Sequence, residues 1–174
     1  MSILCVLLAL LLLPVHLMAA PLSSGDVQKL HDELTTDPLA LGYNVDPTFY
    51  VTHNDDAALT PMLNEVRTGT AFQVNNVISS AKLWEVIVSD ELTALAATQR
   101  TLLQIALMVT SFDLGISEVQ KKLGDIFPAG SVTRSNLQAL QKRQGSRAEV
   151  LFHRGMTITI ANVACALRGT GCNQ

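Results

Sequence analysis

Apolar positions recur at three- and four-residue spacing along almost the whole chain, and two-residue alternation is nearly absent, so the pattern predicts helices. From Ser24, a good N-cap residue, Val27, Leu30, His31 and Leu34 share one face until Asp37 and Pro38 stop the run. Leu59, Leu63 and Val66 mark a second helix near residues 56–66, which Pro61 shortens to a piece capped by Thr60. Phe72 and Val74 alternate too briefly for more than an extended connector. Ser80 then caps a helix carrying Leu83, Trp84, Ile87 and Val88, with Trp84 as a core anchor, and Ser89 or Asp90 restarts the chain into Leu92 and Leu95.

The strongest helical signal covers residues 99–109, where Leu102, Leu103, Ile105, Ala106, Leu107 and Val109 leave almost no polar face, so this helix is expected to be the buried hub. Ser117 opens an amphipathic helix with Val119, Leu123, Ile126 and Phe127 inward, ended by Pro128 and Gly130. Thr133 caps the next, with Leu137 and Leu140 inward and Gly145 as its left-handed stop. Ser146 and Glu149 form a capping box for a short helix, and Ile160, Val163, Ala164 and Leu167 mark a last helix over residues 159–168. The segment 42–54 is rich in turn formers and holds Tyr43, Phe49 and Tyr50, so it reads as a loop pinned by aromatics and long enough to contact a partner.

No internal repeat or Gly-Ser linker divides the chain, which predicts a single helical domain over residues 21–174. The expected fold class is all-α: an irregular or orthogonal bundle of about seven short helices, since helices punctuated by Gly and Pro do not build a long parallel bundle. Residues 1–20 form an apolar leader. All 27 charged residues follow Ala20, and residues 3–13 are an unbroken apolar run ending at Pro14. The run suits a cleaved signal peptide, although no Lys or Arg precedes it and neither Ala19 nor Ala20 offers a good cleavage site. Met18 is equally a natural start, which would make the first 17 residues a spurious extension. A membrane anchor is the third reading, and membrane contact is expected only if the leader stays uncleaved.

Charge is polarised. Residues 21–99 carry three basic against eleven acidic residues, net −8, and residues 100–174 carry nine against four, net +5. Such polarity suits contact between copies or with an acidic partner. Arg134, Lys142, Arg143, Arg147 and Arg154 come closest to a nucleic-acid patch, but Phe152 is the one aromatic among them, and a solvated helical hairpin is the simpler reading.

Catalytic signatures are missing. There is no G-x-S-x-G, P-loop or G-x-G-x-x-G, and the acid pattern of a phage muramidase is also missing, so neither enzymatic activity nor a cofactor is expected. His53, Asp55 and Asp56 could bind a divalent cation or act as acid and base, but the acids also serve as ordinary N-caps and the set lacks the ligands of a calcium loop, so no metal site is expected. Cys165 and Cys172 could close a C-terminal loop by a disulfide in an oxidising compartment. The pattern leans instead to a buried thiol and a free tail thiol.

Several segments together resemble a family of small proteins encoded by tailed bacteriophages and prophages, often among structural or tail genes. They are residues 33–39 (ELTTDPL) with Gly42-Tyr43, then Asp55-Asp56-Ala57-Ala58 with Met62-Leu63-Asn64, and Leu83-Trp84-Glu85-Val86-Ile87. Residues 134–140 (RSNLQAL), 145–149 (GSRAE) and 164–169 follow, so the likeness extends over most of residues 24–169. It implies a non-enzymatic phage protein, favours Met18 as the start and assigns no functional residue. The expected function is a virion component or assembly accessory acting by contact with phage structural proteins or by self-association. The candidate contact residues are Tyr43, Phe49, Tyr50, Arg134, Lys142, Arg143 and Arg147, and the expected location is the virion or host cytoplasm. The alternative is an exported periplasmic or secreted effector or lysis-related protein with a cleaved signal peptide.

Overall fold

The computed structural model describes residues 21–44, 50–170 and 172. The leader and Phe49 lie outside the described residues. The chain divides into two compact units, one of residues up to 56 and from 159 onward, the other of residues 57–158.

In the first unit, α1 (Ser24–Thr36) packs against α9 (Ile160–Arg168). Leu30, Leu34, Val163 and Ala166 are buried, and the His31 Nδ1–H donates to the Ala166 carbonyl at 2.9 Å. Ser23, one residue earlier than expected, caps α1 by accepting the Asp26 N–H. Asp37 ends it at φ 43°, a left-handed conformation that Asp tolerates. Its carboxylate then accepts the N–H groups of Leu41, Gly42 and Tyr43, which fixes the turn that follows. Thr159 caps α9, Gly169 closes it at φ 70°, and Cys165 and Cys172 are joined by a disulfide.

The second unit runs through α2 (Asp56–Asn64), whose first residue, Asp56, belongs to the first unit, then a 3-10 turn (Thr70–Phe72), β1 (Gln73–Asn75), β2 (Val77–Ser79), α3 (Ser80–Glu85), α4 (Ser89–Ala94) and α5 (Ala97–Leu107). It continues with β3 (Ser111–Asp113), α6 (Ser117–Ile126), α7 (Val132–Ala139), β4 (Lys142–Gln144) and α8 (Arg147–Leu151). Strand β1 pairs antiparallel with β4, Val74 opposite Arg143, and β2 with β3, Ile78 opposite Phe112. The core gathers Ile78, Leu83, Leu95, Leu103, Phe112, Leu114, Leu123, Ile126, Phe127 and Leu137.

The all-α bundle of about seven helices expected from the sequence is therefore corrected to a mixed structure. Among the described residues there are nine α-helices and four strands in two small antiparallel sheets. Each strand has three residues, too few for an alternation to register, and each finds its partner far along the chain. The brief alternation of Phe72 and Val74 is the inward face leading into β1.

Four local readings change as well. Helix α2 continues through Pro61 to Asn64. Ser79 and Ser131 cap α3 and α7, and Thr133 is instead buried, its hydroxyl accepting the Val88 N–H at 3.0 Å. Trp84 is 53% exposed and anchors no core. Gly145 does not sit in the left-handed region; a Cβ there would lie 3.0 Å from both the Val74 and Glu149 side chains, which would have to give way.

Candidate functional site

Two regions of the second unit concentrate chemistry, one polar and one apolar. The polar one is the corner where β4 enters α8. The capping box is present: Ser146 Oγ accepts the Glu149 N–H at 3.2 Å, and the Glu149 carboxylate accepts the Ser146 N–H. The same carboxylate receives the Arg143 guanidinium at 2.5 and 3.2 Å and the Gly155 N–H at 2.7 Å. These donors, Arg143 first, hold the Glu149 carboxyl down at about 2 despite its partial burial. Arg143 is correspondingly held protonated above its usual range by Glu149.

The predicted basic cluster is taken apart by this corner and its surroundings. Arg143 is neutralised by Glu149, and Arg154 reaches Asp113 at 3.2 Å. Lys142 donates to Asn75 across the β1–β4 pair, and Arg147 lies half-buried in the first turn of α8 with its own partners. Arg134 folds back beside Gly124, in a different cavity from the one of about 580 Å³ that Lys142 and Arg154 share. Within the larger cavity, His153 Nδ1 faces the Arg154 carbonyl at 3.1 Å, and its carboxylates, Asp113 and Glu149, are each ion-paired. Among the described residues, no hydroxyl or thiol nucleophile lines it.

The aromatic loop gives a similar outcome. Tyr43 is fully buried, with its hydroxyl donating to Glu33 at 3.4 Å, so the expectation that it touches a partner is corrected: it holds the first unit together. Tyr50 is half-buried, and Phe49 falls outside the described residues. In the neighbouring acidic cluster, Asp56 pairs in bidentate fashion with Arg168, which also donates to Asn54 at 3.0 Å. Asp56 keeps the Arg168 guanidinium protonated above its usual range. No group of three His, Cys, Asp or Glu among the described residues can hold a metal ion. No family model, curated protein or solved structure matches the chain.

The apolar region is α5 and the groove between it and α6. One face of α5 turns Leu103 into the core, as the sequence predicts. The other carries Leu102, Ile105 and, just beyond the helix, Val109, all exposed, with Ile105 at 57% and the adjacent Met108 at 83%. This ridge forms one wall of a groove of about 380 Å³, which Phe112, Val119, Leu123 and Ile126 also line. The buried-hub expectation is thus corrected: the helix has two apolar faces, of which only one is covered. The signal was present in the sequence as the missing polar face of residues 102–109, which is consistent with full burial or with a second contact surface.

Proposed function

We propose that the chain is a non-enzymatic interaction protein, a phage virion component or assembly accessory that works by protein-protein contact. The observation that carries this reading is the outward apolar face of α5, with Leu102, Ile105 and Val109 in line beside an apolar groove. An apolar surface of this kind suits a macromolecular contact, whereas the polar corner at Glu149 has its ionic groups already matched to one another. The phage setting rests on the sequence resemblance alone. The test is mass spectrometry of purified particles from the parent phage or induced prophage, with the Ile105→Glu variant produced alongside wild type. Wild type in the particle and the variant lost from it supports the reading; the protein's absence from particles and from complexes with phage structural proteins overturns it.

A second reading, an exported effector or lysis-related protein, is favoured by the Cys165–Cys172 disulfide, because such bonds persist in oxidising compartments. Detection in the periplasm or medium of a form beginning near Pro21 supports export. A null turbidity assay on peptidoglycan, beside an active control, removes its lytic version.

A further inference from the structure

We infer that the occupant of the α5–α6 face is a second copy of this chain, packed about a two-fold axis; the inference rests on the reading of that face as a contact surface. Leu102 and Ile105 follow i, i+3 spacing on α5, Val109 comes just past its end, and all three line the groove, so they form one ridge. The ridge is itself one wall of the groove, so its crest and the groove floor form one surface, and two-fold rotation sets each copy's crest against the other's groove. Charge narrows the choice of partner. Among the described residues, the groove's charged lining residues are Lys122 and Asp125, one of each sign, three residues apart on α6. Both are exposed, and among the described residues neither takes part in an ion pair. A strongly acidic or basic partner would leave one of them facing a like charge. An antiparallel second copy brings its Asp125 to Lys122 and its Lys122 to Asp125, so both pairs are satisfied by one rotation.

The test is sedimentation equilibrium of the purified protein over the micromolar range. Wild type is expected to dimerise, and Ile105→Glu to raise the dissociation constant about tenfold or more. Lys122→Asp and Asp125→Lys should each weaken the dimer by placing like charges opposite one another, and the double exchange should restore it. That rescue is the signature of a two-fold pair. Circular dichroism checks each variant's fold, and Val109→Glu substitutes for Ile105→Glu should the latter not fold. A wild type that stays monomeric throughout, a dimer indifferent to both apolar variants, or a double exchange no better than either single change overturns the inference. Capture of an identified phage structural protein separates this from the broader reading. If the chain is monomeric but Ile105→Glu abolishes that capture, the dimer falls and the contact surface stands; if the variant changes neither, both fall.

Discussion

The corner at Glu149 and the outward face of α5 belong to the same compact unit and are opposite in character. At the corner, one carboxylate collects Arg143 and the N–H groups of Ser146 and Gly155, so residues that look functional in the sequence hold the backbone of β4 and α8 in place. On α5 and just past its end, leucine, isoleucine and valine side chains that look structural are left in solvent. Charged residues clustered along the chain were dispersed among separate partners, and apolar residues in excess of what one core could cover became the available surface. A folded charge cluster is informative only after its hydrogen bonds are counted.

The contrast predicts a ladder of effects. The largest belongs to Glu149→Ala, which removes the acceptor of the Ser146 and Gly155 N–H groups and leaves Arg143 without its ion-pair partner; urea unfolding should show a loss of about 3 kcal/mol. Its acid dependence follows from the depressed pKa. Glu149 contributes its full stabilisation above the ordinary glutamate value of 4.5, and this is lost as pH falls towards about 2. Wild type should therefore lose more stability across that window than Glu149→Gln, and parallel pH profiles would show the carboxylate to be idle. Next comes Gly145→Ala, whose added methyl must displace Val74 or Glu149, at about 1–2 kcal/mol. Arg154→Ala removes an exposed pair with Asp113 and should cost about 0.5 kcal/mol. Smallest is Ile105→Glu, within about 0.5 kcal/mol of wild type in the monomer, because its side chain packs no core. A loss as large as that of Glu149→Ala would dissolve the distinction between the two regions.

Much of the helical layout was legible before the structure. The Ser146–Glu149 box, the Pro128 stop and the helix ending at Arg168 are each written in two or three adjacent residues, which is the range over which capping acts. Strands β1 to β4 were hidden for the converse reason: Asn75 meets Lys142 and Ile78 meets Phe112 only after the chain has folded back on itself. The cap positions Ser23, Ser79 and Ser131 were displaced by one or two residues because adjacent hydroxyl residues compete for the role. Arg134 and Arg143 sit close in sequence but are held by different neighbours, a separation that spacing does not record. The α5 face was legible as an apolar excess and illegible as to its use, since periodicity reports which residues avoid water and not what covers them.

The central claim is that a second copy of the chain covers the α5 face while the Glu149 corner is internal scaffolding. Amide hydrogen exchange measured as a function of protein concentration tests it most directly. Protection over α5 (Ala97–Leu107) should rise with concentration, while that over α8 (Arg147–Leu151) stays constant, because only the former is covered on association. Concentration-independent exchange in α5, or protection that grows at α8 instead, would contradict the account.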